Sequence, residues 1–378
     1  MLYKNARIYC SDFKFRHGCF EVVGDRFGEI LFDEDPDDAV DLGGATVIPG
    51  LIDIHTHGNS GADFSDGDDA GLVKMAGYLA KCGVTSFAPT SMTLPFNQLA
   101  KAFENAKKFA VEGGKDLSVL RGVHMEGPYL SRNKCGAQNR NYLRNPDFDE
   151  FKKLYDISGG LVKIVDVAPE LEGVAAFIEN AKKLCTVSVA HTDADYTCAK
   201  QAFDMGATHL THMFNAMGAI YHRCPGVIPA AAEKKNVFAE LICDGNHIHP
   251  AVIRLAFSLF KDRIILVSDS GRCAGMTDGS SFMLGGQEAV LKDGVARLDD
   301  GTIACSSVNL FVCLKNAIAF GVPEEEVIRA VTYNPAVAIG ADSQTGGIEK
   351  GKSADFVVCD KNYEIMRVCI KGEEIETE

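Results

Sequence analysis

Two histidines stand two residues apart in Asp53-Ile54-His55-Thr56-His57. On an extended segment that spacing points both imidazoles the same way, so that together they can grip one ion. Groups of related chemistry follow later apolar runs: 119–125 leads into Glu126, 186–190 into His191, 208–211 into His212 and 264–268 into Asp269. Imidazoles suit a divalent cation such as zinc or iron, and a carboxylate among them supplies charge. A bound divalent ion lowers the pKa of water to about 7, and Asp269 beside it could take that proton and pass it to a leaving amine. The chemistry implied is hydrolysis assisted by one or two metal ions.

Each of these residues also has a plainer reading, as a solvated strand-end histidine, a helix-capping acid or a surface carboxylate. Their shared place in the pattern argues for the sharper one. Eight apolar runs occur in all, at 47–53, 84–90, 119–125, 162–168, 186–190, 208–211, 237–243 and 264–268. In a parallel α/β barrel every strand points one way, so residues just past the strand ends converge on one mouth. Lys163 stands near the start of its run, at the wrong end to bridge two ions, which leaves Glu126 as the better bridge. His124 and His209 fall inside runs and read as packed, hydrogen-bonded histidines, and His17 reads as an exposed residue without a role in the site.

Between the runs, segments 69–81, 96–111, 172–184, 194–205, 250–260 and 308–320 carry apolar residues at three-to-four spacing, the mark of amphipathic helices. Strand alternating with helix predicts a (β/α)8 barrel of the TIM type over residues 49–345. An open doubly wound sheet is the alternative, but it would not bring the first and last strands together. Both chain ends read differently, as short strands at 6–10, 19–23, 29–32, 356–359 and 365–370. Neither end could bury a core alone, so residues 1–48 and 346–378 are expected to pair into one small β-sandwich domain.

The chain has 378 residues, is 46% hydrophobic and carries a formal net charge of −14, which fits a large folded enzyme and disfavours a nucleic-acid partner. Thirteen cysteines are scattered from Cys10 to Cys369 without a Cys-x-x-Cys pair, as expected for reduced thiols in a cytoplasm. No secretory h-region and no apolar stretch of membrane-spanning length is seen, so no membrane partner is expected.

With these residues in place, the sequence resembles the amidohydrolase superfamily and, within it, the N-acetylglucosamine-6-phosphate deacetylase family. The superfamily likeness lies in Pro49-Gly50-Leu51-Ile52-Asp53-Ile54-His55-Thr56-His57-Gly58 and in Gly351-Lys352-Ser353-Ala354-Asp355-Phe356. The finer likeness lies in His124-Met125-Glu126-Gly127-Pro128-Tyr129-Leu130, Gly136-Ala137-Gln138, Thr211-His212-Met213-Phe214-Asn215-Ala216-Met217 and Asp244-Gly245-Asn246-His247. The resemblance implies that Glu126, His191 and His212 hold the catalytic metal, zinc or another divalent ion, with His55 and His57 able to hold a second. It implies a sugar-phosphate substrate whose phosphate is held by Asn215 and Ala216 and by an Arg223 reaching across from the neighbouring subunit of a homodimer. His247 would contact the sugar and acetamide, and Gln138 takes a substrate-binding position where some members have His. Two loops depart from the family, 270–276 and 301–306, and both bear on sugar specificity. The rivals are a deacetylase of N-acetylgalactosamine 6-phosphate or another N-acyl substrate, and a non-catalytic scaffold, against which the retained ligand set argues.

Overall fold

The computed structural model describes residues 1–32, 34, 36–284 and 286–376. Its centre is a barrel of eight parallel strands: Leu51–Thr56, Val84–Ser91, a broken third strand Val119–Leu120 and Val123–Met125, Val162–Val167, Thr186–Val189, His209–Leu210, Phe238–Ile242 and Ile264–Val267. Neighbours in chain order pair in parallel from the first to the eighth. Closure comes from a parallel bridge between Thr56 and Ser270 and from the Asp269 amide donating to the His55 carbonyl at 2.9 Å. The open-sheet alternative is thereby excluded.

Each strand is followed by a helix. The predicted segments appear as Asp69–Lys81, Phe96–Glu112, Val174–Ala181, Tyr196–Met205, Pro250–Phe260 and Leu310–Ala319. Two further barrel helices, Phe148–Ile157 and Val227–Ala232, and two near the end of the barrel, Glu324–Val331 and Tyr333–Ala338, were not among the predicted ones. Side-chain caps fix several of their starts, for example Asp68 accepting from the Gly71 amide and Asp195 from that of Cys198.

The barrel strands show how two environments divide one run of residues. In the seventh strand Ala239 and Leu241 face the helices, together with the following Cys243, while Phe238 and Ile242 belong to the barrel interior. Glu240, on the same inner face by the period of two, is a buried carboxylate. Ile52, Ile54, Ile164, Ile265 and Val267 join that interior, and Ala336 and Ala338 of the short helix Tyr333–Ala338 pack against them. The interior also holds a polar network: His124 Nε2 bonds Asp166 at 3.1 Å, Thr211 donates to the same oxygen at 2.8 Å, and Ser188 bonds Thr211 at 2.6 Å.

The two chain ends meet in one eight-stranded sheet, in which Thr46–Pro49 pairs with both Leu2–Tyr9 and Phe356–Cys359. The sheet folds back over its own core, since Phe27 and Phe356, on strands that are not neighbours, bring their rings to 5.9 Å. One expectation needs correction here: the apolar run 47–53 is two strands, the first part belonging to the end sheet and only Leu51–Thr56 to the barrel. Gly50 is the joint, where the backbone passes so close to Thr85 that an added Cβ would lie 2.1 Å from its Oγ1. A further unpredicted element follows the eighth barrel strand, a four-stranded antiparallel sheet of Ser281–Leu284, Gln287–Lys292, Val295–Leu298 and Ile303–Cys305. Among the described residues no helix is long and apolar enough to cross a membrane, and the thirteen cysteines are free thiols.

Candidate active site

The strand ends deliver their polar residues to one place. Glu126 stands at the centre, 2% exposed. Its Oε1 lies 2.9 Å from His191 Nε2 and 3.0 Å from His212 Nε2, and its Oε2 lies 3.1 Å from His57 Nε2. His55 Nε2 is 3.8 Å from Oε1. Asp269 faces the group from the eighth strand, with Oδ1 3.2 Å from His57 Nε2 and 3.4 Å from His55 Nε2. All six residues expected at the rim are therefore together, and Glu126 joins the His55/His57 pair to the His191/His212 pair.

The backbone bends sharply to present them. His191, His212 and Asp269 have φ of 42°, 27° and 47°, in the left-handed region that residues with a Cβ avoid. Glu126 is followed by Gly127, whose φ is 85° and whose added Cβ would fall 2.1 Å from Thr93 Oγ1, so only glycine lets the chain turn there.

In His57 and His191 the outer ring nitrogen decides what the inner one offers. His57 Nδ1 bonds the Thr90 carbonyl at 3.2 Å and His191 Nδ1 the Lys134 carbonyl at 2.8 Å. A carbonyl only accepts, so in both neutral rings the proton sits outside and a lone pair points inward at carboxylate oxygens. His191 and His212 even bring their Nε2 atoms to 3.0 Å of each other, and buried His55 Nε2 has no hydrogen-bond partner. Lone pairs facing lone pairs need a positive centre between them, and this donor set fits a divalent cation. Without one, protons fill the role. Burial works against a charged His57, but hydrogen bonds to Asp269 and Glu126 outweigh it and lift its pKa to about 10. Burial likewise opposes charge on His55 and His191, and the surrounding carboxylates again raise both. Glu126 is held well below the usual carboxylate range: burial pushes it up, and the four imidazoles more than reverse that.

Above the cluster opens a cavity of about 260 Å³. Asn215, Ala216 and His247 line it, and Thr302, Ile303 and Ala304 of the inserted sheet form another wall. His247 Nδ1 bonds Asp244 at 2.7 Å; burial disfavours a charge on the ring, yet that carboxylate raises its pKa and fixes the ring's orientation toward the cavity. Gln138 also lines the cavity, but its amide is engaged on both sides, donating to Glu126 Oε2 at 2.7 Å and accepting from the Thr93 amide at 2.7 Å. Arg223 is exposed on the loop before the helix Val227–Ala232 and does not line this chain's cavity. A larger groove of about 620 Å³ is lined by Phe13, Arg254, Phe257 and Arg329 among others, but none of its residues belongs to a metal-competent cluster among the described residues.

Lys163 bonds the Gly160 carbonyl at the strand's opening end, away from the cluster, and His124 and His209 are packed and hydrogen-bonded inside the barrel. The sequence reading missed Glu240, which bonds His55 Nδ1 at 2.8 Å from inside the seventh strand. An acid in the middle of the apolar run 237–243 was the available signal, because such a group is buried only when paired.

Comparison with known proteins agrees with this geometry. Residues 46–375 match the model of the amidohydrolase family. The chain is 34% identical to the N-acetylglucosamine-6-phosphate deacetylase of Bacillus subtilis, over 87% of this chain and 84% of that protein. It is 33% identical to the N-acetylgalactosamine-6-phosphate deacetylase of Escherichia coli, over 86% of this chain and 87% of that one. A mutant N-acetyl-D-glucosamine-6-phosphate deacetylase from Mycobacterium smegmatis, in complex with N-acetyl-D-glucosamine-6-phosphate, superposes with a TM-score of 0.94 at 31% identity, covering 100% of this chain and 99% of that one. The chain belongs to the amidohydrolase family, on the branch that these deacetylases occupy.

Proposed function

We propose that this protein hydrolyses the acetamide of N-acetyl-D-glucosamine 6-phosphate, releasing acetate and D-glucosamine 6-phosphate. The observation that carries the reading is the convergence of Glu126 and four imidazoles opposite Asp269. Glu126, His191 and His212 would hold one divalent cation, zinc in the first instance, and His55 and His57 a second. When bound, such a cation supplies an acidified water and polarises the amide carbonyl. Asp269, facing that position, takes the proton from the attacking water and returns it to the departing nitrogen. His247 contacts the sugar and acetamide from the cavity wall. The Asn215-Ala216 turn receives the phosphate, and Arg223 of the partner subunit in a homodimer completes that site with a guanidinium fork. Gln138, engaged with Glu126, orients that carboxylate where it borders the substrate. A cytoplasmic location fits the free thiols.

The nearest rival differs by one epimeric hydroxyl, and the similar identities to the glucosamine and galactosamine enzymes, 34% and 33%, keep it in view. Acetate release from both 6-phosphates and from unphosphorylated N-acetylglucosamine decides between them. The expected order of kcat/KM places N-acetylglucosamine 6-phosphate first. A higher value for the galactosamine epimer would assign the other substrate, and indifference to phosphate would remove the roles given to Asn215 and Arg223.

A further inference from the structure

Glu240 takes no part in the reaction described above, yet it is fully buried in the barrel interior, between Phe238 and Ile242 on its own strand. A carboxylate survives there only if donors converge on it, and three do. Oε2 receives His55 Nδ1 at 2.8 Å and the His212 backbone amide at 3.1 Å, and Oε1 receives His209 Nε2 at 3.0 Å. The contact with His55 sets it apart from the other rings of the cluster. His57 and His191 rest their outer nitrogens on backbone carbonyls, and His212 Nδ1 has no partner. Only His55 among the four is anchored by a charged acceptor. An ionised carboxylate cannot donate, so the neutral ring keeps its proton on Nδ1 and turns the Nε2 lone pair toward Glu126 and Asp269.

We propose that Glu240 is a positioning residue for the His55/His57 half of the cluster, fixing the tautomer and orientation of His55 and raising its basicity toward a cation held there. The inference rests on the metal-hydrolase reading and extends it to one specific carboxylate. It also accounts for His209, whose Nε2 proton satisfies the oxygen that His55 leaves open.

Glu240→Gln tests this with little disturbance of the fold. The glutamine oxygen can take the place of Oε2, with its two donors, while its NH2 faces His209. His209 can adopt the other tautomer because its Nδ1 is unpartnered. Glu240→Asp keeps the charge but withdraws the carboxylate from His55 by one methylene. Metal-free wild type and both variants would be titrated with zinc(II) in competition with a chromophoric chelator, with bound zinc counted by elemental analysis and folding checked by circular dichroism. Wild type should take up two zinc ions, and in each folded variant one of the two dissociation constants should rise about 10- to 100-fold while the other holds. Wild-type binding curves in either folded variant would overturn the proposal. So would equal weakening of both ions with a large fall in melting temperature, the mark of a merely structural role, or a single zinc per wild-type chain. Absence of any zinc uptake by wild type would sink the metal-hydrolase reading along with it.

Discussion

Removing the cation from this cluster should make stability fall more steeply between pH 7 and 9 than it does in the loaded protein, where buried thiols, their pKa values pushed up by burial, supply the remaining slope. In the metal-free fold His57 titrates at about 10 instead of 6.5, because Asp269 and Glu126 outweigh the burial that disfavours its charge. A pKa raised by folding contributes stability that is complete below the unfolded value, near 6.5, and is lost as pH climbs through the folded one. Between those limits the folded state holds one proton more than the unfolded chain, so stability declines by about 1.4 kcal/mol per pH unit. From pH 7 to 9 His57 alone accounts for roughly 2–3 kcal/mol, and His55 and His191 shift in the same direction. An unfolding entropy of about 2.1 cal/mol/K per residue, over 378 residues, converts this into a drop of about 3 °C in melting temperature from His57 alone. A bound cation occupies the same lone pairs, which removes the linkage and expels the protons on loading. Scanning calorimetry of chelator-treated and zinc-reloaded protein at pH 7, 8 and 9 measures the first effect. Zinc titration in buffers of different ionisation enthalpy counts the protons. Parallel pH profiles for the two forms, or zinc uptake without proton release at pH 8, would refute the reasoning.

Asp269→Asn keeps the size of the side chain and removes its capacity to accept a proton, so kcat should fall by about 10²- to 10⁴-fold while zinc content stays at the wild-type level; near-normal turnover would take Asp269 out of the reaction. Gly50→Ala places a Cβ 2.1 Å from Thr85 Oγ1 at the joint between end sheet and barrel, and should lower the free energy of unfolding in urea by about 1–3 kcal/mol. An unchanged urea midpoint would show that the first barrel strand can shift without loss. Arg223→Ala should raise KM for the sugar 6-phosphate and spare turnover of the unphosphorylated sugar. Wild-type protein that sediments as a monomer at full catalytic efficiency would contradict the role given to this arginine.

The site was legible because metal chemistry uses few residue types and the barrel places them at one kind of position, the end of an apolar run. His55, His57, Glu126, His191, His212 and Asp269 could all be found by that rule, and they do converge. Glu240 and Asp166 obey a different rule, since they lie within strands and matter by what they hold in place. Their signal was an acid among buried apolar neighbours, which identifies a paired carboxylate but not its partner. The inserted sheet escaped notice although Phe282 and Leu284, then Ala289 and Leu291, alternate with exposed residues and the sequence turns at Gly294 and Gly301. Helix Val227–Ala232 left little trace, being six residues long with a proline inside. The end sheet was foreseen as an association of both termini, but the 47–53 run hid a change of sheet at Gly50 that hydrophobicity alone does not mark.

The left-handed backbone at His191, His212 and Asp269 has a consequence beyond catalysis. Each such residue holds a conformation that costs about 1–3 kcal/mol, so the barrel core must pin down a rim that would otherwise unwind. Glycine would rest easily at all three positions and could do none of the chemistry. The working enzyme is therefore a tensioned version of a calmer, inert protein that differs from it at three side chains.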